Sequence, residues 1–136
     1  MLVVSKHFKK QKMVDQEHLM TDTAWGLNVV IKEGVNIDDS NLHSTIKLII
    51  DRCSKIGKRK ILIDATNTFG KVSFMQLFSG VELIKKLNGT GFSIALIAPH
   101  FLDNKDSKFV EIVGHNRGIS IQFFHDKDEA EKWLLK

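Results

Sequence analysis

"KILIDATNTFG", residues 60–70, decides the fold. Ile61, Leu62 and Ile63 make a nearly unbroken apolar run, the signature of a strand covered on both faces of a sheet. Asp64 ends the run, and small polar residues carry the chain into a turn. Upstream, Leu42, Ile46, Ile49, Ile50, Cys53 and Ile56 recur at helical spacing. Asp38, Asp39 and Ser40 offer N-cap chemistry ahead of that helix, and Gly57 closes it. Downstream, Phe74, Leu77, Phe78, Val81, Ile84 and Leu87 mark a second amphipathic helix, stopped by the glycines of "NGTG" at 88–91. A buried strand between two amphipathic helices is the unit from which parallel sheets are built.

The rhythm continues in both directions. "LNVVIKEG", 27–34, alternates with Leu27, Val29 and Ile31 on one face and reads as a half-buried strand. "HLMTDTAW", 18–25, precedes it as an antiparallel partner across a hairpin. "FSIALIAP", 92–99, is the next buried strand, broken by Pro99. A third, shorter helix carries Phe109, Ile112 and Val113 and ends near Gly118, and "ISIQFF", 119–124, alternates like an outer strand. Asp126 and Glu129 form a capping box ahead of Ala130, Trp133 and Leu134, the face of a closing helix. Helices alternating with strands, each strand preceded by a glycine stop, predict an α/β domain with a mostly parallel sheet of four to five strands.

The 136 residues fit one domain, 1–136, with 43% hydrophobic and 26% charged residues in ordinary globular balance. The single cysteine, Cys53, cannot close an intrachain disulfide and sits on an apolar stripe, so a small buried hydrophobe in a reducing, cytoplasmic compartment is expected. "MLVVSKHFKKQKM" places its apolar residues before its lysines, the reverse of a signal peptide, and residues 1–14 read as a basic N-terminal extension. No stretch approaches the ~20 apolar residues of a membrane span. The net charge is +4. Yet Lys55, Lys58, Arg59 and Lys60 lie between a helix and a strand, and Lys85 and Lys86 fall in a last helical turn, where cations complement the helix dipole. No aromatic ladder accompanies them, so nucleic acid is not an expected partner.

In open parallel sheets, ligands and partners meet the C-terminal ends of the strands. That selects the turn after Asp64, the loop "PHFLDNKDS" at 99–107, and the approach to the last helix at His125 and Asp126. The candidate binding residues are Asp64, Thr66, Asn67, Thr68, Ser73, His100 and Asp103, with His125 at the same end. "TNTFGKVS" lacks the glycine spacing of a dinucleotide loop, and Val72 stands where a P-loop places its magnesium-binding hydroxyl. The helix start near Ser73 keeps the generic anion affinity of unpaired N–H groups. Asp64 is not set out as a receiver phosphoacceptor, because one helix rather than two separates it from Asp39; the expected role is a turn-capping acceptor. The 6 histidines show no HxxxH or HxH pair, and no serine sits in a GxSxG elbow. No catalytic residue, metal or cofactor is expected.

From Leu27 to Lys136 the chain resembles the STAS-type, SpoIIAA-like domains, in particular small stand-alone bacterial proteins described as SpoIIAA-like or STAS/SEC14-like. The likeness is carried by "LNVVIKEG", "KILIDATNTFG", "FSIALIAP" and "ISIQFFHDKDEAEKWLLK". It implies a SpoIIAA-like βα superhelix with helices mainly on one face of the sheet. It also implies a non-enzymatic interaction module, regulatory or signalling in kind, that binds a protein partner or forms a homodimer. Met75 and Leu83, off the main stripe of their helix, are candidate contacts. The SEC14-like label implies the alternative of a small apolar ligand or lipid carrier, with an enzyme third. In the anti-sigma-factor antagonists of the wider family, the loop after the equivalent of Asp64 carries a phosphorylatable serine in an Asp-Ser-(Ser/Thr)-Gly turn. Ser73 is the hydroxyl nearest that place, although "FGKVSFM" has no acid before it and no glycine after it.

Overall fold

Each parallel pairing in the sheet follows from a helical crossover of the length that the hydrophobic periods require. In the computed structural model, residues 12–14, 18–70, 72–88, 91–98 and 104–136 are described. The elements are β1 (Lys12–Val14), β2 (His18–Asp22), β3 (Leu27–Ile31), α1 (Leu42–Ile56), β4 (Lys60–Asp64), α2 (Phe74–Asn88), β5 (Ser93–Ile97), α3 (Asn104–Asn116), β6 (Ser120–Phe124) and α4 (Lys127–Leu135). They share one sheet in the order β1-β2-β3-β4-β5-β6. The expected hairpin is present: β2 pairs antiparallel with β3, with Met20 opposite Val29. From β3 onward the pairing is parallel, with Ile61 beside Ile94 and Ile94 beside Ile121. The short β1 adds a further strand to the main five by pairing antiparallel with β2. Residues 12–14, read from sequence as part of a basic extension, therefore belong to the sheet, while residues 1–11 lie outside the described residues.

The strand order never reverses, and this fixes where the helices go. Right-handed crossovers that always step in the same direction deliver their helices to the same face. α1, α2 and α3 accordingly share one core with Leu27, Val29, Ile61, Ile94 and Ile119. α4 follows the last strand and covers the other face, where Ala130 and Leu134 bury Leu62, Ala95 and Ile97. Helices mainly on one face are thus a consequence of strand order. The alternation along β4 and β5 feeds both layers, which is why their sequences are apolar throughout.

Local chemistry secures the helices. Gly57 caps α1 in the left-handed region (φ 68°), its N–H donating to the Cys53 carbonyl. Gly80 lets α1 and α2 approach closely, since a Cβ there would stand 2.7 Å from Ile46 Cδ1. Arg117 lies over the Phe78 ring at 4.9 Å and pairs with Glu82, tying α3 to α2. Arg52 of α1 pairs with Asp22 of β2 where both side chains are largely buried. Asp126 accepts the Glu129 N–H at 3.0 Å, the expected cap of α4.

Two sequence expectations are corrected. The N-cap of α1 is Asn41, with no side-chain cap bond. Asp38 is instead committed to the preceding turn, where its Oδ1 accepts from Ser40 N and Oγ at 2.9 and 2.6 Å. On α3, Val110 and Val113 are buried, whereas Phe109 and Ile112 are 50% and 58% exposed. The helix meets the sheet at its edge, so a narrower stripe suffices.

Candidate functional site

The loops after β3 and β4 leave the sheet side by side and continue its hydrogen bonding beyond the strands. Gly34 N donates to Asn67 O at 3.0 Å, Phe69 N to Val35 O at 3.0 Å, and Ile37 N to Phe69 O at 2.9 Å. Asn36 and Phe69 form an isolated parallel bridge. Gly70 makes this closeness feasible. Its φ is +101°, and a Cβ there would stand 2.0 Å from Asn36 Oδ1 and 2.5 Å from the Ile37 carbonyl. The two loops form one bonded rim along the C-terminal end of the sheet.

Each turn residue has an assigned structural role. Asp64 Oδ1 accepts from the Thr66 N–H at 3.0 Å and from its hydroxyl at 2.5 Å, the turn-capping role expected for it. Thr68 is buried and donates its hydroxyl to Ala65 O at 2.8 Å, so it supports the rim from beneath rather than lining a surface. Thr66 and Asn67 are exposed at the tip. Ser73 Oγ accepts the Gln76 N–H at 3.2 Å and caps α2, while Ser73 N donates to Asp39 Oδ1 at 2.9 Å. That last bond joins the loop before α1 to the start of α2. The Asp38 carboxyl is held below its ordinary range by the Ser40 hydroxyl, then by the Ser40 backbone N–H.

The rim therefore gathers Asp64, Thr66, Asn67, Thr68 and Ser73. His100 and Asp103 lie outside the described residues, as does the Phe74 side chain. His125 is exposed beside the Asp126 cap. Sequence reasoning missed Asn36 and Phe69, whose pairing is non-local, and it treated Asp39 only as a helix cap. Phe69 is 55% exposed and Met75, in the first turn of α2, is 67% exposed. A positive-φ glycine straight after an exposed aromatic was the one local clue. Among the described residues no group of three or more His, Cys, Asp or Glu side chains could hold a metal ion. Cys53, far from the rim, is fully buried, and burial, reinforced by the Asp22 charge, pushes its thiol up to about 12.

The order of the described strands does not reverse, so the sheet has no topological switch point of the kind at which doubly wound sheets hold nucleotides. What lies below the rim is apolar. A cavity of about 90 Å³ separates α1 and α2 from the sheet, lined by Leu42, Ile49, Leu77, Val81, Ile94 and Leu96 among others. No helix among the described residues is long and apolar enough to cross a membrane.

No family model and no curated protein matches the sequence. Among solved structures the chain is similar to an uncharacterized protein of the DUF3478 family with a SpoIIAA-like fold, from Shewanella loihica PV-4. The identity is 17%, covering 92% of this chain and 91% of that one, at a TM-score of 0.49.

Proposed function

We propose that the chain is a non-enzymatic, STAS-like protein-interaction module that engages a partner through the rim formed by the loops after β3 and β4. The observation that carries this reading is the bonded rim itself, with Phe69 and Met75 exposed beside Thr66, Asn67 and Ser73. A preorganised edge that offers apolar side chains among hydrogen-bonding groups loses little entropy when a partner docks. A photo-crosslinking residue placed at Met75 tests it in the native cell. The expected result is a discrete protein adduct that disappears when Phe69→Asp is added and is missing when the probe sits at Lys132, exposed on α4 across the sheet. Equal labelling from both positions contradicts the proposal.

In this reading Ser73 is the regulatory hydroxyl. A phosphate there would bring a charge of about −1.5 to −2 next to the Asp39 carboxylate and remove the Gln76 cap, loosening the rim. Intact-mass measurement of protein from its native cells should then find a phosphorylated fraction, abolished by Ser73→Ala. Uniformly unmodified chains, after stress as well, would remove the switch and leave the docking surface.

The cavity favours a second reading, a carrier of a small apolar ligand. At about 90 Å³ it is below the ~150 Å³ of an engineered cavity that takes benzene and far below the ~300 Å³ of common ligand sites. It admits only a very small apolar molecule unless α2 moves outward, so a lipid chain requires an opened state. Native mass spectrometry of freshly purified protein separates the two readings: a co-purifying mass supports the carrier, and bare monomer or dimer supports the docking module.

A further inference from the structure

The opposite end of the sheet is built differently. There the turn after α2 meets the turn after α1 on one side, with Ser93 N donating to Arg59 O, and the turn after α3 on the other, with Gly91 N donating to Gly118 O, each at 2.9 Å. Lys55, Lys58, Arg59 and Lys60 thereby share one end with Lys85 and Lys86, from which they are well separated in sequence. All are exposed except Lys60, which is half-buried. The carboxylates nearest this end are already engaged, Asp22 by Arg52 and Glu82 by Arg117. None of Lys55, Lys58, Lys60, Lys85 and Lys86 has an ion-pair partner among the described residues.

Helix termini account for only part of this charge. The C-terminal ends of α1 and α2 each present about half a negative charge, so together they offset about one of these cations. At the other end the balance is reversed: Glu33, Asp38, Asp39, Asp64, Asp106, Asp126, Asp128 and Glu129 outnumber Lys32, Lys105, Lys108 and Lys127 among the described residues. The molecule is electrostatically polarised along the strand direction.

We propose that this basic end docks on an anionic lipid bilayer surface. Lysine supplies all but one of the charges. Ammonium groups are compact point charges on flexible stems, suited to a layer of mobile anionic headgroups, whereas nucleic-acid readout favours the planar fork of arginine. Arg59 is stacked on the buried Phe92 at 5.2 Å, and no aromatic ring among the described residues of this end is exposed for base stacking. Leu87, beside Lys86, is 39% exposed and adds an apolar contact of the kind that accompanies lysines at membrane surfaces. The acidic rim is repelled by the same surface and faces away from it. Docking therefore leaves the loops at 33–41 and 65–73 accessible, and it stands independently of what those loops bind.

Co-sedimentation of the full chain with vesicles tests this. At low salt the protein should pellet with vesicles of phosphatidylcholine mixed with phosphatidylglycerol, stay in solution with phosphatidylcholine alone, and be released by added salt. Each lysine near such a surface contributes about fivefold to partitioning (about 1 kcal/mol). The triple variant K58A/K85A/K86A should therefore lose roughly a hundredfold, while K105A/K108A/K127A, in the first two turns of α3 and α4, changes little. Failure to pellet with the anionic vesicles, equal loss in both triples, or displacement from vesicles by duplex DNA would each overturn the proposal.

Discussion

The two ends of the sheet solve the problem of chain reversal in opposite ways. At the C-terminal ends of the strands, the loops after β3 and β4 are long and hydrogen-bonded to one another, and the first of them is acidic. At the N-terminal ends the turns are short and basic, and glycine caps do most of the work. Long loops are tolerable in a small domain only when their backbone groups find partners, and here they find each other. The short turns need only the few bonds that carry the ladder past the strands, Ser93 N to Arg59 O and Gly91 N to Gly118 O, and their side chains carry the charge. The difference teaches that order and function need not be traded against each other: the rim is both the longest connection and a bonded part of the sheet.

Substitutions at glycine break or sharpen this comparison most forcefully. Gly70→Ala combines positive-φ strain with a clash against the Asn36 side chain and the Ile37 carbonyl, and should cost about 3 kcal/mol. Gly57→Ala at the other end meets nothing within 4 Å and should cost only about 1 kcal/mol, for the left-handed conformation alone. Urea unfolding of both variants checks the ratio; equal losses would mean that the rim is not closely packed. Next comes a largely buried ion pair toward the basic end. Asp22→Asn leaves Arg52 without its counter-charge and should cost about 2 kcal/mol, against about 0.4 kcal/mol for removing the exposed Lys47–Asp51 pair. Ser73→Ala removes the cap of α2 at the rim and should cost about 1 kcal/mol by the same measurement.

A further effect appears only at alkaline pH. The Cys53 thiol is raised from an ordinary 9.0 to about 12 by burial, with the Asp22 charge adding and Arg59 opposing. The folded state therefore holds the proton more tightly than the unfolded chain. The contribution is fully present below pH 9 and is lost as pH rises from there toward 12. Wild type should lose stability across that window more steeply than Cys53→Ala, whose own cost is a pH-independent cavity. Parallel pH profiles of thermal melting would contradict the burial argument.

Much of the fold was legible because it rests on periodicity. The apolar run of Ile61–Ile63, the stripe from Leu42 to Ile56 and the Asp126–Glu129 cap are local signals, and each sits where its pattern placed it. β1 was not legible, since "KMV" is too short for a period and is defined by pairing with β2. The face of α3 was misjudged for a related reason. An edge helix buries a narrow stripe, and Phe109 and Ile112 look like core residues only to a pattern that assumes a wide one. At the candidate site, Asp64 and its turn could be read from the Asp-x-Thr chemistry. The roles of Asn36, Phe69 and Asp39 could not, because they depend on bonds between loops separated in sequence by a whole helix and strand.

The central claim is that the loops at 33–41 and 65–73 form a preorganised extension of the sheet. Native-state hydrogen exchange of the Gly34, Ile37 and Phe69 amides tests it most directly. The account predicts that these three amides exchange as slowly as those of β4, opening only with the domain as a whole. Exchange at the rate of exposed loop amides, while β4 stays protected, would contradict it.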